Sequence, residues 1–303
     1  MEWMNDLSAL PPLVRDDAQS SAEAPGPPCL LLRAEPQTVP LVFVSPHSGA
    51  RYTPAFQAMT RLDPLALRRS EDSYVDQLFA SAPAHGAPLL VANFPRAYCD
   101  VNRDAWELDP AMFDGPLPPW VDTRSARAAA GFGTVPRLVG AGLPIYAGRL
   151  GFEEAELRVA ACWTPFHAAL SGLVAATQAR FGRCVLIDCH SMPRGTDGGR
   201  RVGPAYVLGD AYGSSAAQAV TARIERALQP TGRVIARNDP YAGGFITRHY
   251  GRPKDGVHAV QVEIARDLYM SERTLTPNET FAATRAEISA AVGRMAELVP
   301  SAF

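Results

Sequence analysis

The sequence predicts a three-layer α/β fold, with helices packed on both faces of one central sheet. Two observations carry that expectation. Short apolar runs stop abruptly at Ser, Pro, Gly or Asp, as buried strands do, and stretches of helical spacing separate them. A third sets the scale: 303 residues with 47% hydrophobic content suffice for one sizeable core.

Taken in order, residues 1–35 are expected to form an N-terminal extension, because 16–28 reads DDAQSSAEAPGPP. Residues 36–303 are expected to form a single catalytic α/β domain. LVFVS, from Leu41, is the first buried strand and runs into the loop PHSG. Residues 63–82 have helical spacing, with Leu65, Leu67, Val75, Leu78 and Phe79 available for a core face. PLLVANF is the next strand. Residues 109–150 hold many Pro and Gly residues and little periodicity, a loop-like insertion of the functional or disordered kind. Residues 153–181 make the clearest amphipathic helix. CVLIDCHS and AYVLGD repeat the strand pattern, and 214–228 is helical. VIARND and HAVQVEIAR are strands, and a helix closes the chain over 277–298.

Composition excludes several classes. A formal charge of -2 gives no bulk attraction to nucleic acid. No stretch reads as apolar enough to span a bilayer, and residues 1–17 lack the basic-then-apolar order of a secretory leader. No membrane partner is expected, and a homo-oligomer is left open. Five cysteines, none in a CxxC pair, argue against a disulfide framework and a thiolate zinc knuckle, so a reduced cytoplasm is the expected location. GxGxxG, Walker and GxSxG patterns are absent, which excludes a dinucleotide or nucleotide loop and a serine-hydrolase elbow.

Two strands end in histidine-bearing loops: Ser45-Pro46-His47-Ser48-Gly49 and Asp188-Cys189-His190-Ser191. Ligands in α/β sheets bind outside the carboxyl ends of strands, and catalytic zinc takes three protein ligands plus water. His47 and His190 are therefore expected metal ligands, with zinc the expected ion. The third ligand is expected from SEDSYVD, with Asp72 preferred over Glu71 and Asp76; on a helix Asp72 and Asp76 would share a face. Asp188 is placed either to orient a histidine or simply to hydrogen-bond within the buried strand. Asn102 and Arg103, in DVNRD, suit a substrate carboxylate, which a guanidinium grips with two parallel bonds. Arg137, in GFGTVPR, is expected as a second anion clamp within the catalytic set. The segment YAGGFITRHYG over 241–251 contributes Arg248 and Tyr250 as substrate contacts. Glu263, in HAVQVEIAR, is an acid in a buried strand and is expected to be the general base, with an ion pair to Arg266 as the structural alternative. Cys189 is not expected to be a nucleophile, since adjacent strand residues point to opposite faces.

SPHSG, SEDSYVDQLF, FPRAYCDVNRD, GFGTVPR, VLIDCHSMP and YAGGFITRHYGRPKDGVHAVQVEIARDLYM, in that order, make the chain resemble the N-formylglutamate amidohydrolase family from about residue 40 to about 275. The resemblance implies a phosphorylase/hydrolase-like, zinc-carboxypeptidase-like fold with a mixed sheet. It also implies release of formate and glutamate from an anionic N-acyl amino acid, a late step of histidine degradation in some bacteria. By motif it implies His47, His190 and Asp72 as metal ligands, Asn102 and Arg103 at the substrate carboxylate, and Glu263 as base. The rival expectations are a deacylase or carboxypeptidase-like hydrolase of another N-acyl amino acid, and a non-catalytic binder of acidic amino acids.

Overall fold

The computed structural model describes residues 26–140, 142–197 and 200–302. Most of the expected extension, 1–25, lies outside them. Seven strands form the main sheet: β1 (Cys29–Leu32), β2 (Leu41–Ser45), β3 (Leu89–Ala92), β4 (Cys184–Met192), β5 (Tyr206–Gly209), β6 (Ile235–Arg237) and β7 (Val257–Ala265). Their spatial order is β1-β3-β2-β4-β7-β5-β6. The sheet is mixed: β1 pairs antiparallel with β3 and β5 antiparallel with β7, and every other pairing is parallel. β2, β4 and β7 are buried along their whole lengths, which is why apolar residues dominate them. β1 corrects one boundary, since Cys29–Leu32 belongs to the sheet edge and not to an extension.

Alternation along the strands splits the core in two. On one face Phe43, Ile187, Val260 and Val262 meet α1 (Val75–Leu78), and the same core takes in Val220 and Ile224 of a helix over Gln218–Leu228 and Ile288 and Val292 of another over Phe281–Leu298. On the other face Val44, Leu186 and Ala259 meet α2 (Phe152–Phe181), through Cys162, Phe166, Leu170 and Val174. Ile246 and Tyr250 of α4 (Phe245–Tyr250) join them, the Gln218–Leu228 helix being α3 and the Phe281–Leu298 helix α5.

Three expectations are corrected. The helix over 63–82 is broken: Pro64–Leu67 makes one turn, Arg68–Ser70 a 3₁₀ turn, and Tyr74, at φ 69°, separates these from α1. Residues 109–150 have little regular structure, yet Met112, Phe113, Val135, Ile145 and Leu150 build a third small core with Phe56 and Leu67. Finally, Phe152–Phe181 is long and apolar enough to cross a membrane by length and composition. Here it serves as a core helix, one face packed against the sheet.

α2 contains a π turn over Val159–Trp163, and Arg158 just before it is fully buried. Its guanidinium donates to Glu154 Oε1 at 2.8 Å, Tyr98 O at 3.1 Å and the Tyr146 hydroxyl at 2.5 Å. It also lies 4.3 Å from the centre of the Tyr98 ring. This one side chain staples the irregular insertion to α2. Arg158→Met keeps much of the volume and strands those acceptors, so it should lower unfolding free energy by about 3 kcal/mol. An unchanged urea midpoint would refute the staple.

Candidate active site

The parallel pairing of β2, β4 and β7 brings their carboxyl ends together. Val44 stands opposite Asp188, and His190 opposite Glu263. His47 follows β2 on a loop that presses on the end of β3. A Cβ at Gly49 would fall 2.2 Å from Phe94 O, so only glycine allows that approach.

His47, His190 and Asp72 are all buried, and one ligand atom from each lies within 4.8 Å of the others. The geometry shows which atoms face inward. His47 Nε2 donates to Asp100 Oδ1 at 2.8 Å, and His190 Nε2 donates to Asp188 Oδ1 at 2.8 Å. With each Nε2–H committed to a carboxylate, each Nδ1 carries the lone pair whenever its imidazole is neutral. Both face Asp72 Oδ2, at 3.4 Å from His47 and 3.1 Å from His190. The other oxygen, Asp72 Oδ1, already accepts from Ser191 Oγ and Arg266. His47 Nδ1 is buried with no hydrogen-bond partner among the described residues. An orphaned imidazole nitrogen, a second one beside it and a carboxylate oxygen facing both fit a divalent cation.

Electrostatics point the same way. Burial would raise Asp72, but His190, His47 and Arg266 beside it outweigh that and hold its carboxyl well below the usual range. Burial would lower His190, yet the Asp188 and Asp72 carboxylates hold it well above its ordinary value. Asp100 is likewise held low against burial by Arg96, Arg103 and His47. The field that favours a proton on His190 favours a cation among these groups.

Asp72 does not stand on a helix, as its spacing from Asp76 suggested. It sits just before α1, with its N–H donating to His47 O at 3.0 Å, and this backbone bond carries the carboxylate to the histidine loop. Glu71 is spent on Tyr52, Arg68 and Ser73, and Asp76 lies within α1 outside the cluster.

Glu263 projects beside His190. Its Oε1 accepts from Gln261 at 2.7 Å, and its Oε2 is buried without a hydrogen-bond partner among the described residues. Burial lifts its carboxyl from 4.5 to about 7, against the pull of His190. The alternative of an ion pair with Arg266 is not what the chain adopts, since that guanidinium binds Asp72, Ser191 Oγ and the Glu71 carbonyl.

A cavity of about 800 Å³ opens over these groups. Asn102, Arg103 and Arg248 are among the residues that line it. Asn102 Oδ1 accepts from Ile246 N, and its Nδ2 lies 3.3 Å from His190 Nε2. A Cβ at Gly244 would strike that amide at 2.4 Å, which explains the second glycine of YAGGF. Arg103 is more brace than clamp: it donates to the carbonyls of Phe132 and Asn102, leaving one amino group 3.8 Å from Asp100. Arg248 is exposed and its guanidinium has no ion pair among the described residues.

Two expected site residues are not brought there. Arg137 is not among the residues that line the cavity and donates to Asp109 Oδ2 at 2.7 Å, so the insertion's own acid neutralises it. Tyr250 is core: its hydroxyl meets His167 Nδ1 at 3.0 Å and its ring stacks on that imidazole. Cys189 packs into the opposite core, where burial holds its thiol well above the ordinary value, as a non-nucleophile should be. Three groups went unread. Asp100 stood in DVNRD behind its more obvious Asn and Arg. Gln261 had a usable signal, lying two residues from Glu263 and so on its face. Arg96, which lines the cavity and donates to Asp100 Oδ2 at 2.9 Å, had none.

A family model described as N-formylglutamate amidohydrolase matches residues 39–270. The chain belongs to that family. An N-formylglutamate deformylase of Pseudomonas aeruginosa is 34% identical over 242 residues, covering 78% of this chain and 84% of the relative. One from Pseudomonas putida is 29% identical over 241 residues. The crystal structure of N-formylglutamate amidohydrolase from Ralstonia eutropha JMP134 superposes with a TM-score of 0.84 at 35% identity, covering 91% of this chain and 99% of that one. A 19% identical gene product from Agrobacterium tumefaciens shares the fold at a TM-score of 0.60. These matches agree with the α/β fold and mixed sheet that the amidohydrolase resemblance implied.

Proposed function

We propose that the protein hydrolyses N-formyl-L-glutamate to formate and L-glutamate, in a cytoplasmic route of histidine breakdown, with zinc as its metal. The observation that carries the reading is Glu263: a buried carboxyl, lifted to about 7, with one oxygen unpartnered beside the His47–Asp72–His190 cluster. The family match and the deformylase names of the relatives support the substrate.

His47 Nδ1, His190 Nδ1 and Asp72 Oδ2 would hold the cation, which when bound acidifies water and polarises the formyl oxygen. Asp100 and Asp188 keep the two imidazoles in the tautomer that ligation requires. Glu263 Oε2 takes a proton from the attacking water and gives it to the amide nitrogen as the C–N bond breaks. Arg96, fixed by Asp100, stabilises negative charge growing on the formyl oxygen. Arg248 grips a substrate carboxylate and so fixes the scissile amide.

The deciding experiment pairs elemental analysis with formate release from N-formylglutamate, with and without chelator. About one zinc per chain and chelator-sensitive formate is the expected result. Zinc with release of acetate or succinate, but not formate, from the corresponding substrates would move the reading to another acyl group. Arg248→Ala removes charge-assisted bonds of about 1.5–3 kcal/mol, so KM should rise about tenfold to a hundredfold with kcat little changed. An unchanged KM would remove Arg248 from substrate binding.

A further inference from the structure

Two backbone N–H groups around the start of α4 decide which way two side-chain amides face. Gly244 N–H donates to Gln261 Oε1 at 2.9 Å, and Ile246 N–H donates to Asn102 Oδ1 at 2.8 Å. A backbone N–H can only donate, so each amide must turn its oxygen to that segment and its NH₂ elsewhere. For Gln261 the NH₂ then lies 2.7 Å from Glu263 Oε1. Both side chains are buried, on one face of β7.

We infer that Gln261 is the positioning residue of the base: it ties Oε1 of Glu263 and leaves Oε2 as the oxygen that receives the proton. An oxygen already accepting an N–H is a poor seat for a proton, whereas Oε2 has no hydrogen-bond partner among the described residues. In the reaction an O–H bond of water breaks and a new O–H bond forms at Oε2. The electron pair left on the water oxygen bonds to the formyl carbon as the C=O π pair moves onto the formyl oxygen, and the return of that pair breaks the C–N bond. The proton later passes from Oε2 to the amide nitrogen, which keeps the electrons of the broken C–N bond. Terminal carboxyl torsions are broad, so an untied Glu263 would swing its oxygens away from the line of attack. The chain spends two glycines on this arrangement. Gly243 is at φ 116°, and Gly244 has no room for a Cβ beside Asn102.

This inference rests on the reading of Glu263 as base, and its test separates the two. Gln261→Glu keeps an oxygen for Gly244 N–H but sets a second carboxyl beside Glu263, so it is read together with Gln261→Met, which removes the donor and adds no charge. A Gln261 that only supports Gly244 predicts a lower unfolding midpoint for Gln261→Met with kcat near normal. The positioning role predicts that kcat for formate release falls about 10²-fold while KM stays within about twofold. A kcat within about threefold of wild type, alongside an inactive Glu263→Gln, would overturn the positioning role alone. An active Glu263→Gln would overturn the base, and the inference with it. Side-chain amide NMR of the wild-type enzyme needs no folded variant. One Gln261 Nε2 proton should exchange slowly with solvent, and exchange at the rate of a free amide would overturn the tie to Glu263.

Discussion

Glu263→Gln should bind zinc as wild type does, lose about 10²–10⁴-fold in kcat, and gain stability. The activity loss follows because an amide neither takes a proton from water nor returns it. The stability gain follows from linkage. Glu263 is lifted from 4.5 to about 7 in the folded chain, burial being the main cause. Between those values the folded state holds a proton that the unfolded state releases, so this group favours folding least at high pH. Its contribution declines as pH rises from 4.5 and is fully lost above about 7, a difference of about 3 kcal/mol at 1.36 kcal/mol per pH unit. Gln at 263 is neutral throughout and escapes that loss. In chelator, the variant should therefore melt above wild type at pH 8 and match it near pH 4.5. A variant melting below wild type at pH 8 would mean that Glu263 is ionised and paired in the folded protein. For the loaded enzyme the acid limb of kcat/KM should fall at or below about 7, since a neighbouring cation favours the carboxylate.

The sequence exposes what is periodic or chemically costly, and this chain divides along that line. β2, β4 and β7 are legible because strands buried on both faces are apolar at most positions. His47, His190 and Glu263 are legible because polar groups at the ends of such strands are expensive without a task. The helix expected over 63–82 is not there because the chain breaks at Tyr74, and Asp72 is drawn to the carbonyl of His47. No local spacing encodes that backbone bond. Arg137 and Tyr250 were misplaced for a related reason. Their partners, Asp109 and His167, lie 28 and 83 residues away, and only the folded chain shows that they are already engaged. Gln261 shows the converse, for alternation along β7 already put it beside Glu263.

His190→Ala should remove the bound metal and with it at least about 10³-fold of turnover. The position is severe because three functions meet there. Nδ1 faces Oδ2 of Asp72 at 3.1 Å, Nε2 is held by Asp188, and the residue stands opposite Glu263 in the β4–β7 register. Removing it also leaves Asp188 buried without the histidine that satisfies it, so some stability should be lost. Metal content separates these effects from misfolding. Wild-type protein stripped by chelator should regain about 2.7 kcal/mol of stability when free zinc reaches about 100 times its dissociation constant, and His190→Ala should regain none. Asp188→Asn tests the support without touching a ligand: it can still accept a bond but no longer fixes the imidazole by charge. It should weaken zinc binding about 10- to 100-fold and leave the stoichiometry at saturation unchanged. His190→Ala that keeps one tightly bound zinc per chain would exclude His190 from the ligand set, and the cluster would then owe its buried charges to protons alone.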